Sequence, residues 1–156
     1  MTHNDFLSIA AKYANDSKCG SMKVGALIVL EDRIISCGIN GTPPKFTNCN
    51  ELFPQGRSKE HSEWSRQHEI HAEMNAILFA TLQGGLQPNQ YPGYRMYCTL
   101  SPCKTCLTHM AVVGIKEVYY SSEYVPYGTP ADRTHQLISD RVAYAGQLGI
   151  LYQKIS

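Results

Sequence analysis

The sequence has no long apolar run. Its longest stretch of apolar residues and glycine is Val24–Leu30, well short of the roughly 20 residues a helix needs to cross a bilayer. Charge of one sign is missing too: 14 Lys and Arg stand against 13 Asp and Glu, for a formal net charge of +1. No whole-chain basic field therefore draws it to a nucleic-acid backbone or an anionic membrane, and a small molecule is the expected ligand. The opening MTHNDFLSIAAKYANDS mixes acids and a lysine into an amphipathic pattern, without the basic start and apolar core of a leader. Internal repeats, coiled-coil heptads and low-complexity tracts are absent as well, which sets aside repeat and coiled-coil architectures. The expectation is a cytoplasmic protein with neither a membrane nor a nucleic acid as partner.

What the chain does have is enough apolar material, 43% of 156 residues, to bury the core of one domain spanning 1–156. In a reducing compartment its six cysteines are metal ligands, catalytic groups or core residues before they are disulfides. Asn4 or Asp5 can cap a first helix, in which Phe6, Leu7, Ile9, Ala10 and Tyr13 recur at helical spacing up to Asp16 and Ser17. VGALIVL and RIISCGI, split by Glu31 and Asp32, read as a β-hairpin. The next stretch, NGTPPKFTNCNELFPQGRSKE, is too long for an ordinary connection and is expected to be functional. A helix over about His71–Leu82 follows, with Ile70, Met74, Ile77, Leu78 and Thr81 on its inner stripe and Gly84 and Gly85 as its stop. RMYCTL and KEVYYSS are strands on either side of a helix, CKTCLTHMAVVG. PADRTHQLISDRVAYAGQLG makes a last helix, with Pro130 in its first turn and Gly149 past its end, and ILYQKI a last strand. The order α-β-β-α-β-α-β-α-β predicts a three-layer α-β-α fold of the α/β class. Its five-stranded mixed sheet is antiparallel in the first hairpin and parallel afterwards, with helices on both faces.

Two short stretches carry chemistry. IHAEMNAILFA sets His71 and Glu73 two residues apart at a helix start, and SPCKTC sets Pro102, Cys103 and Cys106 at a strand-to-helix transition. Cysteines so spaced project from one face, and the partial positive charge of a helix start favours the thiolates that zinc binds. With His71 from the other helix three ligands converge, leaving the fourth tetrahedral position to water as in catalytic zinc sites. Glu73 lies roughly 200° round the helix from His71 at 3.6 residues per turn, free to reach that water instead of the metal. H-x-E followed by P-C-x-x-C is the known signature of zinc nucleobase deaminases, so this assignment matches an established pattern. In that chemistry zinc lowers the pKa of the water and Glu73 takes its proton. Hydroxide attacks C4 of a pyrimidine, and Glu73 hands protons to N3 and the leaving amine. Backbone groups around Ala72 and Ser101 can orient the ring's polar edge. Taken singly the residues have plainer readings: a helix-terminal histidine, a first-turn acid, and a redox pair or half a structural zinc site. Together, in this order and on these elements, they point to catalysis.

SKCGSMKVGALI, RIISCGINGTPP, NCNE, EHSEWS, EIHAEMNAILFA and TLSPCKTC cover most of residues 17–106. In this order they resemble the deoxycytidylate (dCMP) deaminases of bacteriophage type, within the zinc-dependent cytidine deaminase superfamily. Beyond Tyr124 the resemblance weakens. It implies a cytidine-deaminase-like fold and hydrolytic conversion of dCMP to dUMP, the thymidylate precursor. It further implies a homo-hexamer activated by dCTP and inhibited by dTTP with Mg²⁺, placed in the host cytoplasm if phage-encoded. Asn40 matches the family asparagine that holds the deoxyribose, whereas locally it passes for a turn residue before Gly41. Ser21, Lys23, Ser65 and Tyr124 stand where the family binds the 5′-phosphate. By themselves Lys23 reads as a solvated strand-end charge and Tyr124 as a loop aromatic. Ile39 stands where the family more often has tyrosine, a departure that matters if that side chain meets the effector.

Cys19 and Cys49 lie in polar loops, where a core role is less natural than for Cys37 and Cys98 within strands, and suggest a second zinc with His61 as third ligand. Both His68 and Glu69 are available for the fourth position. On a continuous helix His68 lies nearer the His61 face, about 20° off, while the resemblance pairs Cys, Cys and His with the glutamate of EIHAE. Glu69 is the choice, with His68 as the alternate. Such a closed site is structural, its coordination energy being folding energy; two free thiols and a surface histidine are the plain alternative. The loop Gly41–Glu60, with Lys45, Arg57 and Lys59, is the candidate effector site. Two other functions compete. A deaminase of nucleic acid or free nucleosides is disfavoured in its first form by the lack of a basic, aromatic groove. A zinc-stabilised nucleotide sensor has no use for an acid beside an open zinc position.

Overall fold

Strands β1 (Gly25–Leu30), β2 (Arg33–Ile39), β3 (Arg95–Leu100), β4 (Glu117–Ser122) and β5 (Leu151–Lys154) form one sheet in the order β2-β1-β3-β4-β5. The computed structural model describes residues 1–156. Its helices are α1 (His3–Ala14), α2 (Cys49–Leu52), α3 (Lys59–His68), α4 (Ala72–Leu82), α5 (Lys104–Val113) and α6 (Thr134–Gln147). Successive side chains of a strand point to opposite faces, and here both faces are filled. Ala26, Ile28, Met96, Cys98, Val118 and Tyr120 pack against Ala76 and Ile77 of α4, Leu107 and Met110 of α5, and Ala145 of α6. Leu27, Val29, Tyr97 and Tyr119 face the other way, under Phe6, Leu7 and Ala10 of α1. These are the expected three layers, and burial on both sides explains why β1 is apolar without alternation.

β1 runs antiparallel to both β2 and β3, and β3, β4 and β5 are mutually parallel. Parallel pairing thus begins one strand later than expected, because the crossover through α4 carries the chain from β2 past β1 before β3 is laid down. No helix is long and apolar enough to cross a membrane.

Local chemistry moves several boundaries. Thr2, not Asn4 or Asp5, caps α1: its hydroxyl accepts from the Asp5 N–H, and the Asp5 carboxylate accepts from the Thr2 N–H at 2.7 Å. This reciprocal pair is a capping box. Part of the long irregular stretch is helical as α2, and Ser58 caps α3 through the His61 N–H. Pro130 precedes a single 3-10 turn, Ala131–Arg133, and α6 starts only at Thr134.

On α4 the buried stripe is Ala72, Glu73, Ala76, Ile77 and Ala80, while Leu78, Phe79 and Leu82 are exposed. Close approach to β2 is the reason. A Cβ on Gly38 would lie 2.2 Å from the Ala72 carbonyl oxygen and 2.4 Å from the Ala76 nitrogen, so only glycine and small partners let the helix lie this close. The Ser36 hydroxyl donates to the Ala76 carbonyl, and Asn75 Nδ2 to the Ile39 carbonyl, each at 2.7 Å. These contacts fix the first half of α4, and with it Glu73, against the sheet.

Candidate active site and metal centres

His71 is the N-cap of α4 and Cys103 the N-cap of α5. Neither side chain caps its own helix, and the two turn toward each other. His71 Nδ1 lies 3.6 Å from Cys103 Sγ and 3.4 Å from Cys106 Sγ, and all three donor atoms fall within 4.8 Å of one another. Bonds of ~2.3 Å to sulfur and ~2.0–2.1 Å to nitrogen in a tetrahedral zinc site separate the two donors by about 3.5 Å. Two soft sulfurs and an imidazole at this spacing fit zinc. A hydrogen bond from Cys106, with help from His71, holds the Cys103 thiol well below its usual range. The bond to Cys103 lifts the His71 imidazole to about 9, and the bond to Cys103 together with burial pushes Cys106 far up. Metal binding would displace those protons.

Glu73 is 4% exposed, and its Oε2 lies 3.8 Å from Cys106 Sγ. Burial raises its carboxyl pKa and the His71 charge opposes the rise. Held out of solvent beside three metal donors, this acid favours its protonated form more than an exposed carboxyl does.

A second donor set adjoins the first. Cys19 Sγ lies 3.6 Å from Cys49 Sγ, 3.7 Å from His61 Nε2 and 3.7 Å from Glu69 Oε1. His61 Nε2 is in turn 3.0 Å from Cys49 Sγ and 3.4 Å from Glu69 Oε1. Glu69 Oε2 is buried with no hydrogen-bond partner, a costly state that a cation relieves. Four convergent donors with an orphaned carboxylate oxygen fit a closed metal site. Burial pushes the Cys49 thiol up to about 12, so without metal it stays protonated. His68 is elsewhere, stacked on Phe46 at 5.5 Å and against Trp64 at 5.2 Å. Periodicity favoured it on the premise of a continuous helix. Instead α3 stops at His68, and Glu69 continues in extended geometry, φ −98° and ψ 134°, which turns its carboxylate inward.

Both sets open onto one cleft. His71, Glu73 and Cys103 line one part of it, and Ser21, Asn40, Ser65, Ala72, Ser101 and Tyr124 line the rest. Asn40 already accepts from the Val24 N–H and donates to the Met22 carbonyl, both at 2.8 Å. One N–H and one lone pair remain for a ligand. Lys23 is not brought to the cleft. Met22 and Val24 line it, so extended alternation turns Lys23 outward, where its Nζ donates to the Asn15 carbonyl at 3.4 Å.

The sequence profile of the cytidine and deoxycytidylate deaminase zinc-binding region matches residues 1–122. The chain belongs to this deaminase family. It is 37% identical over 157 residues to the deoxycytidylate deaminases of Enterobacteria phages T2 and T4, with 80% of this chain and 81% and 79% of theirs covered. Among solved structures it is similar to the dCMP deaminase of cyanophage S-TIM5 in complex with dCMP and dUMP. That match has a TM-score of 0.71 at 31% identity and covers 97% of this chain and 95% of the other.

Three arginines of the deaminase carry more weight than composition suggested. Arg57, read above only as an effector-loop cation, lines the cleft, as does Arg66 of α3. Arg57 Nη2 also donates to the Val125 carbonyl at 2.6 Å, tying the long loop to the segment after β4 across the cleft. Arg141 of α6 stands behind the wall and donates to Ser101 Oγ at 3.1 Å. Helical spacing held a usable signal for part of this: Ser62, Ser65 and Arg66 recur with His61 at three to four residues, the spacing that shares a helix face.

Proposed function

We propose that this deaminase hydrolyses dCMP to dUMP and ammonia, acting as one catalytic domain over residues 1–156 in the cytoplasm and supplying dUMP for thymidylate synthesis. One observation carries the reading. A single cleft holds a buried carboxylate beside a three-donor zinc set, and elsewhere Arg57 and Arg66 with Ser21 and Ser65, suited to a 5′-phosphate. That a cyanophage relative was solved with dCMP and dUMP supports the substrate class.

His71, Cys103 and Cys106 would hold the catalytic zinc, which when bound supplies the Lewis acidity that makes water nucleophilic near neutral pH. Glu73 takes one proton of the attacking water and passes it to N3 of the pyrimidine, then takes the proton of the new C4 hydroxyl and hands it to the amine, which leaves as ammonia as the C4 carbonyl forms. Its burial favours the protonated state needed for the second step. Backbone groups at Ala72 and Ser101 orient the ring edge, and the free N–H of Asn40 meets the deoxyribose. Arg57 and Arg66, with Ser21 and Ser65, take the phosphate in place of Lys23, since guanidinium suits bidentate phosphate binding. Cys19, Cys49, His61 and Glu69 would hold a second, structural zinc. The active form is a homo-hexamer, activated by dCTP and inhibited by dTTP with Mg²⁺. The loop Gly41–Glu60 is the effector segment, coupled to the cleft by the Arg57 bond to Val125.

The test is loss of cytosine absorbance with dCMP, deoxycytidine, dCTP and single-stranded DNA in parallel, with dCTP or dTTP added as effector. Selective turnover of dCMP, raised by dCTP and lowered by Mg²⁺ with dTTP, is expected. Equal turnover of deoxycytidine refutes the phosphate site, and no turnover by zinc-replete protein refutes the reading.

A further inference from the structure

The match to the family's zinc-binding region ends at residue 122, yet a helix beyond it reaches the cleft wall. Arg141 of α6 is 3% exposed, and none of the three ion pairs within 4.0 Å in the molecule includes it. A guanidinium buried with no carboxylate against it is costly unless its hydrogen bonds and surroundings offset the loss of water. Here it donates to Ser101 Oγ at 3.1 Å and to the Tyr124 carbonyl, and its plane lies over the Tyr124 ring, 5.6 Å from the centroid. The Tyr124 N–H donates to the same Ser101 oxygen at 2.8 Å. Arg141, Ser101 and Tyr124 thus close a triangle across three segments of chain. Only the last two of these line the cleft.

We propose that Arg141 is a positioning residue for the anionic end of the substrate. It fixes Tyr124 and Ser101 in the cleft wall, and its charge behind that wall, with no carboxylate within 4.0 Å, favours a phosphorylated nucleoside over a neutral one. The proposal rests on the dCMP reading for its substrate. It differs from the phosphate contacts themselves, because Arg141 does not border the cleft and acts through the two residues it holds. Arg57 and Arg66 add to the same field: they and Arg141 all oppose the burial that raises the Tyr124 hydroxyl. Lysine keeps the charge but not the forked geometry that reaches a hydroxyl and a carbonyl together.

Zinc-loaded wild-type, Arg141→Met, Arg141→Gln and Arg141→Lys full-length proteins separate this role from a structural one. In the neutral variants KM for dCMP should rise by about tenfold or more while kcat stays within about threefold and zinc content is unchanged. KM for deoxycytidine should hardly move, and lysine should recover part of the loss. Hydrogen exchange supplies a readout free of substrate: the Tyr124 amide should exchange faster in Arg141→Met and Arg141→Gln, with core amides of β3 unchanged. Arg141→Gln carries the test if Arg141→Met fails to fold. An unchanged KM for dCMP in a folded neutral variant, or equal rises for dCMP and deoxycytidine, overturns the proposal. If the wild type turns over no dCMP, the function reading fails. Tyr124 exchange then still decides Arg141, and unchanged exchange overturns it.

Discussion

Gly38→Ala is the substitution that best tests how the fold sets the chemistry. The added Cβ would meet the Ala72 carbonyl oxygen at 2.2 Å, the Ala76 nitrogen at 2.4 Å and the Asn75 carbonyl carbon at 3.0 Å. All three are backbone atoms, so no side chain can rotate away. Restoring an ordinary contact of about 3.4 Å requires α4 to move off β2 by roughly 1.2 Å at its first turn, and overpacking of this kind costs about 3 kcal/mol. For a chain of this length that is a Tm drop of about 6–12 °C. The moved turn carries Glu73 and follows His71, whereas Cys103 and Cys106 sit on α5 and stay. A misplacement of about 1 Å between catalytic groups lowers kcat about 10²-fold. The assay pairs thermal unfolding with single-turnover deamination and zinc analysis on the same preparation. A Gly38→Ala protein with wild-type Tm and wild-type kcat would refute the claim that this close approach positions the site.

Glu73→Gln should keep its zinc and lose about 10²–10⁴ in kcat, measured by dCMP turnover alongside metal analysis. The same variant has a pH signature in chelated protein. Burial raises the folded pKa of Glu73, so the unfolded chain releases this proton first, and stability falls as pH rises from the ordinary carboxylate value through the raised one. Chelated Glu73→Gln should therefore melt above chelated wild type at pH 8 and show no such advantage at pH 4. Cys49→Ser should lower bound zinc from two ions per chain to one, read by elemental analysis, while the His71 set stays loaded. Thr2→Ala removes the hydroxyl that caps α1 and should cost about 1 kcal/mol, a Tm loss of about 2–4 °C by calorimetry. No measurable loss would mean that α1 is held by Phe6 and Leu7 alone.

The donor set of His71, Cys103 and Cys106 was legible in the sequence because each motif is local. His71 with Glu73, and Cys103 with Cys106, are fixed by spacing on one helix start apiece, and only their meeting is tertiary. Glu69 was legible through family resemblance alone, since the choice over His68 turns on where α3 ends, a boundary that periodicity does not locate. Lys23 was misplaced because a match by position says nothing about which side of an extended segment a residue faces. Of the expected inner stripe of α4, Ile77 is buried and Met74 packs against the core, but Leu78 and Thr81 are exposed. Alanines took those places, and an isolated glycine in the strand RIISCGI was the available sign of close approach. Arg141 left no local trace, being joined to Ser101 only by the final fold.

The arrangement of the two donor sets along the chain also orders events during synthesis. Cys19, Cys49, His61 and Glu69 are complete as soon as residue 69 has emerged, before either catalytic cysteine has been made. Ile70, bonded in both directions to Gly41, then hands the chain to His71 from an anchored point. Chain order thus completes the N-terminal donor set before Cys103 and Cys106 are made. Arg141 arrives last, so the cleft acquires its final wall only at the end of translation.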